Sequence, residues 1–179
     1  MLSDYLKSQL DQLAQRIFRC NRKYFVIHYI GANSDTSAKL VKWYHLVQKG
    51  WGRAGYNSFL NFDGQIEEVE PVTVPVYGMF AGWGKNSEWT ENSFQICCET
   101  VNKQLKLHPE QEEALIYLIN AILKLNPNLL VGGHREFPDL SWYGRNNRQN
   151  TQCPGFSVSD WLVSKGIPRK NCFYFVWKG

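Results

Sequence analysis

YFVIHYI, residues 24–30, is the stretch on which the fold turns. β-Branched and aromatic residues fill it, one imidazole (His28) interrupts them, and the turn-forming GANSDTS follows at once. A short apolar run bounded by turn residues reads as a buried strand. Working outward, Asp35 and Thr36 are two possible N-caps for a helix running to about Lys49. Its expected apolar face is Leu40, Val41, Tyr44 and Val47, and Gly50 ends it. Upstream, Ser3 can cap a helix whose Leu6, Leu10, Leu13 and Ile17 recur at helical spacing. Downstream, NSFLNF and QIEEVE flank Asp63-Gly64, a strong hairpin signal. Residues 71–92 are rich in Gly, Pro, Trp and Asn and read as a long loop, and SFQICCET (93–100) as another strand. His108-Pro109-Glu110 opens a helix striped by Leu115, Leu118, Ile122 and Leu125. Leu129–Val131 is a short strand running into Gly132-Gly133. A polar loop (134–156) and a helix from about Ser157 to Lys165, stopped by Gly166, come next. The expectation is a single α/β domain over residues 1–179, a central mixed β-sheet flanked by helices. Residues 1–23 would be an N-terminal helix. Residues 166–179 would be an aromatic tail whose CFYFVW adds an edge strand or covers the sheet.

Composition narrows the class. With 44% hydrophobic and 15% aromatic residues, the 179-residue chain can bury a sizeable core and is not a disordered segment. No run approaches the ~18 apolar residues of a membrane-spanning helix. MLSDYLKSQLDQLAQRIF carries Asp4 and Asp11 within its apolar pattern, so it does not read as a secretory signal, and synthesis in the cytoplasm is expected. Five cysteines are odd in number and sparse, which argues against a disulfide scaffold and requires at least one thiol to be free, metal-bound or paired with another chain. Residues 1–133 hold 13 basic and 13 acidic side chains, whereas residues 134–179 hold seven basic and three acidic. The whole net charge of +4 therefore lies in the last quarter, either as a solvated surface or as an attractor for an anionic partner. A basic nucleic-acid-binding domain would need a larger surplus and a recognisable motif, so no nucleic acid is expected.

Three residues could share one chemistry. His28 is a polar ring inside an apolar strand, by itself compatible with a packed, hydrogen-bonded histidine. His134 directly follows a strand ending Leu-Leu-Val-Gly-Gly, where rigid scaffolds place site residues. Cys153 sits in TQCPGF, where Pro154-Gly155 forces a turn, and reads as an exposed turn thiol. Two imidazoles and a thiolate make an acceptable zinc set with a fourth position open for water. Their separations, 106 residues and then 19, match no compact zinc finger.

The local motifs add a family. FVIHYIGA (25–32), HLVQKGW (45–51), GYNSFLNFDGQIEE (55–68), NSFQICCE (92–99), VGGHREF (131–137) and CPGF (153–156) occur in an order that resembles the type 2 N-acetylmuramoyl-L-alanine amidases. That superfamily includes phage endolysins and the peptidoglycan recognition proteins, and the resemblance covers about residues 24–165. It implies a zinc in a surface groove held by His28, His134 and Cys153, with Tyr56 and Thr151 as catalytic groups. Tyr56 matches a tyrosine that acts with the metal in many members. Thr151 matches a site where some carry lysine and others threonine. The implied reaction is zinc-dependent hydrolysis of the amide between N-acetylmuramic acid and L-alanine of peptidoglycan, with a non-catalytic muropeptide-binding module of the same fold as the alternative. It would act as a monomer on the cell wall, released by lysis, a holin or another secretion route.

Departures are equally specific. Cys97 stands where some relatives carry a catalytic glutamate, Asn57 where histidine often follows the GY tyrosine, and Phe80-Ala81 where a His-Ala pair is frequent. DLSWYGRNNRQNTQ (139–152) reads as an expanded loop whose aromatics and arginines could contact glycan or peptide carboxylates. His45 is expected to pack or cap its helix, His108 to mark a helix entry, and Trp51 to anchor packing. Trp83, Trp89, Trp142 and Tyr143 are candidates for ligand contact, and Glu136 for a partner of His134 or a solvated carboxylate. Cys97 and Cys98, adjacent on a strand, should face opposite sides, and Cys20 and Cys172, which flank the core elements, are candidates to approach each other.

Overall fold

A computed structural model of the chain describes residues 1–31, 36–79, 87–100, 106–137 and 151–174. Helix α1 (Asp4–Arg19) precedes strand β1 (Tyr24–Tyr29), and helix α2 (Ala38–Trp43) continues into a π-helical turn, Tyr44–Gln48. Strands β2 (Ser58–Leu60) and β3 (Ile66–Glu68), helix α3 (Ser87–Asn92), strand β4 (Ser93–Cys98) and helix α4 (Pro109–Leu125) follow. Strand β5 (Leu130–Gly133) and helix α5 (Val158–Ser164) complete the order. The strands lie in the order β3-β2-β4-β1-β5, with β2, β4, β1 and β5 parallel and β3 antiparallel at the edge. This is the expected single α/β domain with a mixed sheet between helices.

Alternation along the strands builds two faces. Phe25 and Ile27 of β1, Phe94, Ile96 and Cys98 of β4 and Val131 of β5 meet α1, α4 and α5 in one large apolar cluster. Leu6, Leu10 and Ile17 of α1, and Leu115, Leu118 and Ile122 of α4, supply its helical side as their spacing predicts. The opposite face holds two smaller clusters. Phe59 and Cys97 pack against Ala38 and Val41 of α2, while Val26 packs against Met79, Trp89 and Phe137. The polar groups of the candidate site sit on this second face, and Cys97 and Cys98 do point to opposite sides.

Several local expectations are corrected. Ser37 caps α2, its hydroxyl accepting from the Leu40 N–H at 3.3 Å, in place of Thr36; Asp35 lies outside the described residues. Leu40, Tyr44 and Val47 are exposed, because Ala38, Val41 and His45 are the residues that turn toward the sheet. Trp89 belongs to α3 and is buried against Tyr24 and Phe137, so it is a packing residue rather than a loop aromatic. In the described part of the tail, Cys172 and Phe173 lie along the sheet edge: Cys172 bridges Val131, the Phe173 N–H donates to the Val131 carbonyl, and the Phe173 ring stacks on Phe137 at 4.1 Å. All five cysteines are free, including Cys20 and Cys172. No helix among the described residues is long and apolar enough to cross a membrane.

Candidate metal centre

The carboxyl end of β1 and the connection from β5 to α5 bring the expected donors together, the place where open α/β sheets gather ligands. His28 is the fifth residue of β1, and its parity turns the ring away from the helical core, beside its β4 register partner Cys97. His134 begins a 3₁₀ turn (His134–Glu136) directly after β5. Glu136 ties that turn to α5, its carboxylate accepting from the Gly133 N–H at 2.8 Å and from the Ser159 N–H and hydroxyl at 3.1 and 2.9 Å. The carboxylate thus holds the backbone around His134. Cys153 is placed by the Arg135 N–H, which donates to its carbonyl at 2.8 Å, and by Thr151, whose hydroxyl oxygen accepts from its N–H at 3.1 Å. Gly133 lets this loop close in: a Cβ there would meet the Pro154 ring at 2.6 Å.

The ligand atoms of His28, His134 and Cys153 all lie within 4.8 Å of one another. Among the described residues this is the one set of three or more such side chains to converge so closely. His28 Nδ1 stands 3.6 Å from Cys153 Sγ, about the edge of a tetrahedron built on zinc–nitrogen and zinc–sulfur bonds of ~2.1 and ~2.3 Å. The donor set and its spacing therefore fit zinc. Cys153 is buried, not the exposed turn thiol its sequence context suggests, because CPG folds back over β1 and the Tyr29 N–H donates to its sulfur at 3.3 Å. Burial pushes the Cys153 thiol up to about 12, and burial, then the neighbouring His134, hold His28 well below the usual histidine range. A bound cation is what would make thiolate the favoured form here.

Tyr56 leans over the same site, its ring 5.0 Å from that of His28. Burial, followed by the neighbouring Cys97 and Cys153 thiols, raises its pKa well above the ordinary phenol range. At neutral pH it is a hydrogen-bond donor.

A protein-family model described as N-acetylmuramoyl-L-alanine amidase matches residues 19–156, most of the chain and all of these residues. The chain belongs to that amidase family. Its fold is shared with the endolysin amidase LysCS from Clostridium intestinale (TM-score 0.54, 21% identity, 84% of this chain and 88% of that one). It is shared also with the Ph2119 endolysin from a Thermus scotoductus bacteriophage (0.56, 22%, 81% and 84%). Drosophila PGRP-LB, a recognition protein, is equally similar (0.57, 20%, 88% and 85%). A search of curated proteins by sequence gives no match.

Of two further buried residues at this amidase-family site, one packs as expected and the other escapes a reading of the sequence. His45 packs, the first of its two expected roles: its Nδ1 accepts from the Gly55 N–H at 3.2 Å, its ring stacks on Trp51 at 4.6 Å, and the Tyr56 ring lies 5.4 Å away, edge-on. Burial, then Lys49, lower its pKa to about 4, so it is neutral at physiological pH. Gln95 is fully buried on β4, with its side-chain oxygen 3.1 Å from His28 Nε2. The available signal is the one amide side chain within SFQICC, two positions from the residue paired with His28. A cleft of about 460 Å³ leads away from Tyr56 and His45 along Ile30, Leu40, Trp43 and Tyr44. Phe80, Ala81, Trp83, Trp142, Tyr143 and most of the 139–152 loop lie outside the described residues.

Proposed function

We propose that this chain is a zinc-dependent N-acetylmuramoyl-L-alanine amidase that hydrolyses the amide between N-acetylmuramic acid and L-alanine in peptidoglycan. The observation that carries this reading is the convergence of His28, His134 and Cys153 beside the protonated hydroxyl of Tyr56. His28 through Nδ1, His134 and Cys153 hold the ion. When bound, zinc supplies Lewis-acid activation of water and of the scissile carbonyl. The Tyr56 hydroxyl donates to the carbonyl oxygen as negative charge builds there. Thr151 already accepts from the Cys153 N–H, which leaves its own hydroxyl hydrogen to donate to substrate or water. The exposed Leu40, Trp43 and Tyr44 offer apolar faces on which a glycan or stem peptide can lie. The chain acts on the cell wall as a monomer.

A non-catalytic muropeptide-binding module of the same fold is the second reading, favoured by the likeness to the peptidoglycan recognition proteins PGRP-LCa and PGRP-LCx, whose ectodomain complex is solved with tracheal cytotoxin bound. Loss of the cysteine ligand usually marks such relatives, and Cys153 and Tyr56 are both present. The purified protein is expected to hold about one zinc per chain and to release L-alanine amino groups from peptidoglycan, with a chelator abolishing the release. Full activity in Cys153→Ser or His28→Ala overturns the assignment. Wall binding without new amino termini selects the binding module.

A further inference from the structure

Gln95 is 0% exposed, and a buried side-chain amide is retained at a cost unless its hydrogen bonds are made. It has two donor hydrogens and one acceptor oxygen, and the surroundings decide which way they point. The single hydrogen of the Ser93 hydroxyl goes to the Trp89 carbonyl. Ser93 Oγ is therefore the acceptor for Gln95 Nε2, at 2.9 Å. The Val76 carbonyl, which can only accept, faces the same nitrogen at 3.4 Å. With the NH2 group committed, it is Oε1 that stands 3.1 Å from His28 Nε2. An amide oxygen cannot donate, so the hydrogen of that pair belongs to His28 Nε2. In a neutral imidazole the lone pair is then on Nδ1, the atom 3.6 Å from Cys153 Sγ.

We propose that Gln95 is the positioning residue of the metal centre, fixing the tautomer and ring orientation of His28 so that Nδ1 is aimed at the ion. The inference rests on His28 being a ligand, as in the proposed function, and goes beyond it by naming what holds that ligand. Two further features serve the same placement. Asn57 receives the Gln95 backbone N–H on its Oδ1 at 3.0 Å and donates to the Pro71 and Val74 carbonyls at 3.1 and 2.9 Å, which braces β4 beside Tyr56. Gly78 leaves the amide oxygen its space, since a Cβ there would lie 2.4 Å from Gln95 Oε1. The relay thus runs from a backbone carbonyl of α3 to the ligating nitrogen with its polarity set at every step.

The test is zinc affinity, measured by competition with a chromophoric chelator on the full chain, with circular dichroism confirming the metal-free fold. Gln95→Met keeps the side-chain shape but removes the acceptor, and is expected to weaken zinc binding about 10- to 100-fold. Gln95→Glu retains an acceptor for His28 Nε2 and, when protonated, a donor toward Ser93 Oγ, and is expected to stay within about threefold of wild type. The His28 Nε2–H resonance, resolved in ¹⁵N-edited spectra of the zinc-loaded protein, should shift in Gln95→Met and persist in Gln95→Glu. If Gln95→Met does not fold, Ser93→Ala replaces it: the amide loses its anchor, and affinity should fall by a smaller, measurable factor. Unchanged affinity in the folded Met variant, or equal losses in Met and Glu, overturns the inference alone. A wild-type chain that takes up no zinc overturns the metal reading and this inference with it.

Discussion

Phe94, Ile96 and Cys98 of β4 enter the apolar cluster with α1, α4 and α5, while Ser93, Gln95 and Cys97, interleaved with them, face the other way. One strand thus serves two regions of opposite construction. On the helical face, stability comes from area removed from water, with each large side chain contributing about 1.5–3 kcal/mol. On the site face, His28, Gln95, Asn57 and Ser93 are all buried, and what makes their burial tolerable is that their side chains are hydrogen-bonded to one another or to backbone. The comparison teaches where damage should appear. A deletion on the first face is felt by the whole fold, whereas a deletion on the second is felt by the chemistry first.

Phe94→Ala offers the hardest test of that division. The ring is fully buried against Phe25, so its loss should cost about 3–5 kcal/mol in denaturant unfolding while the surviving folded fraction still binds zinc at wild-type affinity. A parallel fall in affinity would show that the two faces are one unit. On the site face, Tyr56→Phe removes only a hydroxyl. Turnover should fall about 10²- to 10³-fold, equivalent to about 2.7–4 kcal/mol of transition-state stabilisation. Its melting temperature should barely move, and wild-type turnover would remove Tyr56 from the reaction.

The two faces also differed in how readily they could be read. The helical face was visible as periodicity: Leu6, Leu10 and Ile17 in α1 and Leu115, Leu118 and Ile122 in α4 recur at the spacing that buries them. The donors of the site were legible through the motifs around His28, His134 and Cys153. The groups that orient them were not. Gln95 and Asn57 act through a register between strands and a loop packed on both, and neither relation is periodic along the chain. The same holds for α2, where spacing alone suggested that Leu40, Tyr44 and Val47 face inward. The burial direction was set instead by the docking of Ala38 and Val41 on Phe59 and Cys97. Trp89 reads as a loop aromatic because its Gly- and Asn-rich neighbours conceal a helix of only six residues.

His45 places a titratable group in the hydrogen-bonded face and makes the comparison depend on pH. In the folded chain it protonates near 4, against ~6.5 when unfolded. Between those values the unfolded chain holds the extra proton, so its effect is absent above pH ~6.5 and destabilisation grows as pH falls toward 4. The upper bound is about 3 kcal/mol. In His45→Gln, whose amide oxygen can still accept from the Gly55 N–H, the loss between about pH 6.5 and 4 should shrink when both metal-free proteins are unfolded in urea. An unchanged pH dependence would mean that His45 is protonated in the fold without penalty.

The smallest effect is expected where the site face meets solvent. Trp43 is 46% exposed on the last turn of α2 and lines the cleft that leads to Tyr56, so its ring contributes little to the fold. Trp43→Ala should change unfolding free energy by no more than about 0.5 kcal/mol. If the ring receives a sugar or peptide face during binding, KM for solubilised peptidoglycan should rise about 5- to 10-fold, or about 1–1.4 kcal/mol, with kcat nearly unchanged. That split separates uniform substrate binding from the role given to Tyr56, whose removal acts on kcat. An unaltered KM would confine recognition to the buried polar groups and leave the exposed aromatic ridge without a part in it.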